Sequence, residues 1–147
     1  MSNIVNDLVE EYIRETLAEK DGLLKELEDY AHENSVPIIH KEVSDLLKVI
    51  LKIHRPKRIL EVGCAIGYSS IFFASVLGGD VEIITTERNE VMIEKAKENI
   101  KRAGLEDKIT ILEGDAEETL KNIDGEFWKL WIFYFLQVMR KKKIKRY

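Results

Sequence analysis

The sequence predicts an α/β domain in which N-terminal helices precede a parallel sheet. Three observations predict it. The run Arg58-Ile59-Leu60-Glu61-Val62-Gly63-Cys64-Ala65-Ile66-Gly67-Tyr68-Ser69-Ser70 reads as a buried strand, a glycine-punctuated turn and the start of a helix. From Lys57 onward, strand-like and helical patterns alternate, which implies a parallel sheet covered on both faces. Glu87 follows Gly67 by 20 positions, at the end of a second strand-like run, Val81-Glu82-Ile83-Ile84-Thr85-Thr86. In parallel sheets an acid so placed hydrogen-bonds ribose hydroxyls, and the glycines let the backbone approach the ligand.

The elements follow in order. Ile4, Leu8 and Tyr12, with Val5, Val9, Ile13 and Leu17, recur at helical spacing. Asp21 is placed to cap a second helix carrying Leu23, Leu24, Leu27, Tyr30 and Ala31. Val36-Pro37 breaks the pattern, because proline disfavours helix in the residue before it. A third helix carries Val43, Leu46, Leu47, Ile50 and Ile53, up to Arg55-Pro56. The first strand is expected at about 57–62, a helix at about 68–77 ending at Gly78-Gly79, and the second strand at about 80–86. Asn89 is placed to cap a helix carrying Val91, Met92, Ala96 and Ile100, which Gly104 closes. A third strand is expected at about 107–113, then Gly114-Asp115, a short helix near 116–122 and a turn at Asp124-Gly125. The chain thus divides into a helical segment (1–56), a ligand-binding core (57–126) and an atypical tail (127–147).

The tail stands apart in composition. Residues 1–126 carry 16 basic and 27 acidic side chains, whereas the last 21 residues carry seven basic side chains, no acid, both tryptophans and seven of the twelve aromatics. Residues 127–135 are apolar enough for either a strand or a helix, and the sequence alone leaves both open. If they do not form a strand, the first strand becomes an exposed, aggregation-prone edge. The single cysteine, Cys64, allows no internal disulfide. The N-terminus lacks a basic stretch followed by an apolar core, and no apolar run reaches the roughly 20 residues that span a bilayer. A cytoplasmic protein without stable membrane insertion is expected.

The element Glu61-x-Gly63-x-Ala65-x-Gly67 is not the dinucleotide Gly-x-Gly-x-x-Gly. An acid at the strand end accepts hydrogen bonds from an ammonium group or from loop N–H groups, and it repels a pyrophosphate. That favours S-adenosylmethionine, which has an amino-acid end and no phosphate, over a dinucleotide. The plain alternative is a tight turn with no ligand. Glu87 is the candidate for the ribose hydroxyls, against a solvated residue at a strand end. Asp115 is the candidate for the adenine amino group, with the Ala116 N–H meeting a ring nitrogen, against simple helix capping. His32, His40 and His54 are scattered and lack metal-ligand spacing. Cys64 has no identified base beside it, and no Ser/His/Asp constellation can be assembled, so no catalytic residue is assigned.

Together these stretches resemble the cation-dependent, S-adenosylmethionine-dependent O-methyltransferases, the family of catechol and caffeoyl-coenzyme A O-methyltransferases, and within it most of all the bacterial tRNA 5-hydroxyuridine methyltransferases. The resemblance is carried by Glu28-Asp29-Tyr30-Ala31 through Val36-Pro37-Ile38-Ile39, by Pro56 through Ser69, by Glu87-Arg88, by Gly104-Leu105-Glu106-Asp107 and by Gly114-Asp115-Ala116. It implies the Rossmann-like class I methyltransferase fold and covers residues from about 5 to 126. By resemblance, Ile39 covers the methionine end of the cofactor and Glu61, Gly63 and Ser69 line it. Ala65, Gly67 and Tyr68 belong to the same glycine motif. Glu87, followed by Arg88, holds the ribose, and Asp115 with Ala116 holds the adenine. The resemblance also implies a homodimer, a hydroxyl-bearing substrate (5-hydroxyuridine in tRNA or a catechol-like small molecule), and a magnesium ion that lowers the pKa of the attacking hydroxyl.

The family's acidic metal-binding motifs have no counterpart here, since no Asp or Glu follows Glu126. The expectation is therefore a C-terminally truncated or frame-altered member with an incomplete sheet, an intact cofactor half and no catalytic half. The alternative is an S-adenosylmethionine-binding or interaction module without catalysis. The basic tail offers a further contact with phosphate or anionic lipid.

Overall fold

The computed structural model describes residues 6–130, so Ile4, Val5 and the tail from residue 131 lie outside the described residues. Three helices come first: α1 (Asp7–Thr16), α2 (Gly22–Glu33) and α3 (Lys41–His54). Asn6 caps α1, its side chain accepting from the Leu8 N–H at 2.9 Å. Asp21 occupies the cap position of α2, as the sequence predicts, but makes no side-chain cap bond there. Arg55 ends α3 in the left-handed conformation, φ 47°, just before Pro56.

Strands and helices then alternate as expected: β1 (Arg58–Val62), α4 (Tyr68–Leu77), β2 (Glu82–Glu87), α5 (Glu90–Arg102), β3 (Ile109–Glu113), the short α6 (Ala116–Thr119) and β4 (Trp128–Leu130). Asn89 caps α5 by accepting from the Met92 N–H at 3.1 Å. Gly104, at φ +65°, lets α5 end in a Schellman motif. There the Gly104 N–H bonds the Lys101 carbonyl at 3.0 Å and the Leu105 N–H bonds the Ile100 carbonyl at 3.1 Å.

The sheet has the order β3-β2-β1-β4, and every pairing is parallel. The stretch whose conformation the sequence leaves open is therefore a strand over Trp128–Leu130, paired with Ile59, Leu60 and Glu61. It lies past the compositional break, yet it joins the same sheet and covers what would otherwise be the free edge of β1. One row of the sheet aligns Ile59, Ile83 and Ile109, and all three are buried. This row joins Ile66, Phe72 and Phe73 of the α4 region, Leu51 of α3 and Leu27 of α2 in one core. α4 is buried continuously from Tyr68 to Ala74 and touches α2, α3, α5 and β2, which explains why its sequence is apolar on every face.

The N-terminal helices attach differently. No residue of α1 is buried, and Leu8, Val9, Tyr12 and Ile13 are exposed. α1 is held through polar contacts, with Arg14 bonding Glu42 at 3.2 Å and the Arg14 carbonyl accepting from Lys41 at 3.2 Å. The segment between α1 and α2 is fixed by Lys20, which bonds Asp45 at 2.9 Å and lies 5.2 Å from the centre of the Phe72 ring. Among the described residues no helix is long and apolar enough to cross a membrane.

One carboxyl group lies inside this core. Glu61 of β1 is 1% exposed and accepts from the hydroxyls of Ser69 and Ser70, each at 2.5 Å, and of Thr85 at 2.8 Å. Burial raises its pKa above the ordinary 4.5, and the three hydroxyl donors oppose that rise without cancelling it. The sign of the pH dependence follows. The folded state holds this proton more tightly than the unfolded chain, so the associated stability is complete below about pH 4.5 and is lost as the pH rises through the raised folded value. Glu61→Gln, which cannot ionise, is expected to gain stability relative to the parent as the pH rises from 4.5 to 8. Urea melts of both proteins across that range check this, and a stability difference that does not change with pH contradicts it.

Candidate functional site

The turn between β1 and α4 reverses the chain in five residues, 63–67, at the C-terminal edge of the sheet. Three of the five have positive φ: Gly63 at 85°, Ala65 at 48° and Gly67 at 82°. Glycine adopts such angles freely, whereas alanine pays roughly 1–2 kcal/mol. Gly67 also sits against α5, where an added Cβ would lie 3.4 Å from the Cβ of Ala96. Its glycine is demanded chiefly by the backbone angle, since that distance is close to ordinary contact.

The end of β2 grips this turn. The Thr86 carbonyl accepts from the N–H groups of Gly63 at 3.0 Å and Cys64 at 3.1 Å. Glu87 then turns its carboxylate back over the loop. One oxygen accepts from the Ala65 N–H at 3.0 Å, and the other accepts from the N–H groups of Arg88 at 2.9 Å and Asn89 at 3.0 Å. A charge-assisted hydrogen bond contributes about 1.5–3 kcal/mol, enough to offset the strain at Ala65. The carboxylate is thus fixed in place, half-buried, at the mouth of the glycine loop.

The neighbouring strand end completes the edge. The Gly114 N–H bonds the Glu87 carbonyl at 2.8 Å, so Asp115 and Ala116 follow directly beside Glu87. Asp115 caps α6 by accepting from the Glu117 N–H at 2.9 Å, the role weighed against adenine binding. Its second oxygen lies 3.9 Å from the Arg88 guanidinium, and both side chains are exposed. Gly63, Ala65, Gly67, Glu87, Arg88, Asp115 and Ala116 therefore gather along one edge, across the C-terminal ends of β1, β2 and β3. A groove at strand C-termini is where open α/β sheets bind ligands.

Four other expected residues face inward. Glu61 and Ser69 bond each other inside the core. Tyr68 is buried and its hydroxyl bonds the Glu28 carboxylate of α2; burial first, and that acceptor second, push its pKa up. Ile39, in the segment leading into α3, is 4% exposed and packs in the core. Cys64 is buried, and burial together with the charges of Glu61 and Glu87 pushes its thiol pKa up, which suits a packing residue and not a nucleophile. Among the described residues no three His, Cys, Asp or Glu side chains converge to hold a metal ion, so they do not themselves fit a magnesium centre.

Sequence reasoning missed Asn99. It is 3% exposed, and its side-chain N–H donates to the Ile66 carbonyl at 2.9 Å, from the α5 side of the loop. The signal was present: Asn99 lies three residues after Ala96 and beside Ile100, a polar side chain on an apolar stripe. Thr85, Thr86 and Ser70 were likewise missed as the buried partners of Glu61 and Gly63.

Comparison with known proteins agrees with this geometry. The sequence profile of the O-methyltransferase family matches residues 14–145. A catechol O-methyltransferase of Niastella koreensis is 30% identical over 128 residues, which is 86% of this chain and 58% of the relative. A Staphylococcus aureus structure described as a caffeoyl-CoA O-methyltransferase is 38% identical with a TM-score of 0.73, over 80% of this chain and 56% of the other. The SAH-bound methyltransferase PaMTH1 of Podospora anserina is 26% identical with a TM-score of 0.75, over 86% and 58%. The chain thus spans little more than half the length of these relatives. With a parallel sheet that folds as theirs do and a family match running nearly its full length, this chain belongs to the O-methyltransferase family.

Proposed function

We propose that this chain binds S-adenosylmethionine at the β1–α4 turn and serves methyl transfer to a hydroxyl oxygen. The observation that carries the reading is the Glu87 carboxylate, oriented by the Ala65, Arg88 and Asn89 N–H groups at the ligand edge of the sheet. Its oxygen that accepts only the Ala65 N–H keeps an acceptor site for a ribose hydroxyl, the contact that an acid at this strand end makes in parallel sheets. Asp115 and Ala116, one strand further along the same edge, are the proposed contacts for the adenine. No side chain is assigned to the transfer step, in which the acceptor hydroxyl gives its proton to water, its oxygen takes the methyl group and the sulfonium becomes a neutral thioether.

The proposed acceptor is a hydroxyl compound. The family membership and the Niastella relative support a catechol-like diol, and the sequence resemblance supports 5-hydroxyuridine in tRNA. A second reading, cofactor binding without turnover, is supported by one observation: among the described residues no His, Cys, Asp and Glu side chains group to hold a metal ion. Transfer of labelled methyl groups to catechol or to tRNA, with and without magnesium, separates the three.

Self-association is proposed as well, with a second copy of this chain as the partner. α1 exposes Leu8, Val9, Tyr12 and Ile13 beside the acids Asp7, Glu11 and Glu15. α3 exposes Leu46, Val49, Ile50 and Ile53 beside Lys48 and Lys52. The two stripes are apolar and flanked by charges of opposite sign, which suits a reciprocal two-fold contact of α1 of one copy with α3 of the other.

Two outcomes are expected. In calorimetric titration the parent binds S-adenosylmethionine, and Glu87→Ala weakens binding by roughly 10- to 100-fold, the loss of a charge-assisted hydrogen bond or two. A parent protein that folds but does not bind the cofactor contradicts the reading. In light scattering the parent has the mass of a dimer and the double variant Leu8→Glu, Ile53→Glu that of a monomer; a monomeric parent contradicts the contact.

A further inference from the structure

We infer that Asn99 is a positioning residue for the cofactor loop, acting from the buried face of α5 without touching the ligand. The inference rests on the cofactor reading above. The loop is strained at Ala65, whose φ is positive, and it is held from both sides. On one side are Thr86 and Glu87 of β2. On the other side the described contacts are the apolar approach of Ala96 to Gly67 and one hydrogen bond, from Asn99 to the Ile66 carbonyl at 2.9 Å.

The position of that carbonyl explains the need. Ile66 immediately precedes the cap residue Gly67, and it is the Gly67 carbonyl that takes the first helical bond, from Ile71. The Ile66 carbonyl is therefore outside the α4 ladder. Ile66 is itself wholly buried, so without a donor its oxygen would be an unpaired polar group in the core. Asn99 supplies the donor at the cost of burying an amide on an otherwise apolar stripe.

α5 thus ties the loop to Glu87. Its cap residue Asn89 bonds the Glu87 carboxylate through its N–H, and its third turn meets Ile66 through Asn99, about 15 Å further along the axis. A rigid helix joining both contacts fixes the loop relative to the Glu87 carboxylate. Without the Asn99 bond, Ile66 and Gly67 can relax, the Ala65 N–H swings away from Glu87, and the carboxylate loses the orientation that a ribose requires.

The test compares Asn99→Leu, similar in volume but without a donor, Asn99→Gln, which keeps one, and Ile100→Ala, a buried change in the same helix away from the loop. Two readouts are taken on each: S-adenosylmethionine affinity by calorimetry, and hydrogen exchange of the amides of residues 63–68. Asn99→Leu is expected to weaken the cofactor about tenfold and to speed loop exchange selectively, with Asn99→Gln recovering part of both. Ile100→Ala is expected to lower the melting temperature at least as far, yet to hold affinity within about twofold. Equal losses of affinity in Asn99→Leu and Ile100→Ala overturn the inference. If the parent binds no cofactor, the proposed function fails and exchange alone decides: selective loosening of residues 63–68 upholds the positioning role, and unchanged exchange overturns it. If Asn99→Leu does not fold, Asn99→Ser is read in its place on the same criteria.

Discussion

The conformation of five residues, 63–67, governs the rest of this structure. A parallel strand must be followed by a helix that packs back on the sheet, and here the reversal is made with three positive φ angles. Two fall on glycines and cost little. The third falls on Ala65, which lends weight to the Ala65–Glu87 hydrogen bond: the strain is about 1–2 kcal/mol and a charge-assisted bond returns a similar amount. The turn is therefore built jointly by β1 and the end of β2, and the same carboxylate that stabilises it is the one proposed to hold the ribose. On that reading, stability of the loop and readiness of the site are one feature.

Two carboxylates near this turn divide the work through their surroundings. Glu87 is half-buried and bonded to three backbone N–H groups, which fix a charge at the sheet edge. Glu61 is fully buried and bonded to three hydroxyls, which close a polar pocket inside the core and tie β1 to α4 and β2. Hydroxyl donors stabilise a charge less effectively than its burial penalises it, which is why the pKa of Glu61 rises. The acid that opens the motif thus ties its strand to the following helix and to the neighbouring strand.

Local signals were the legible ones. Asn89 as a cap, Gly104 as a helix stop and Glu87 at a strand end each depend on a few neighbouring residues, and each is found in place. The alternation from Lys57 gave the parallel sheet for the same reason. What depends on contacts distant in sequence was not legible. Trp128–Leu130 carries no periodicity that separates strand from helix, and it becomes a strand because β1 offers an open edge. The inward turn of Ser69 and Tyr68 depends on Glu61 and Glu28, 8 and 40 residues away. Asn99 reads as one more polar residue of an amphipathic helix until Ile66, 33 residues earlier, is seen to need its donor. The stripe on α1 was legible as a helix, but its periodicity does not bury it.

The most direct test of the claim that this turn is a preformed cofactor site is a residue-resolved one. Amide spectra of the labelled protein would be recorded during titration with S-adenosylhomocysteine and, separately, with NAD. Saturable shifts confined to residues 63–69, Glu87–Asn89 and Asp115–Ala116 with S-adenosylhomocysteine, and none with NAD, are the expected result. Shifts that fall elsewhere, or that NAD reproduces, would contradict the account.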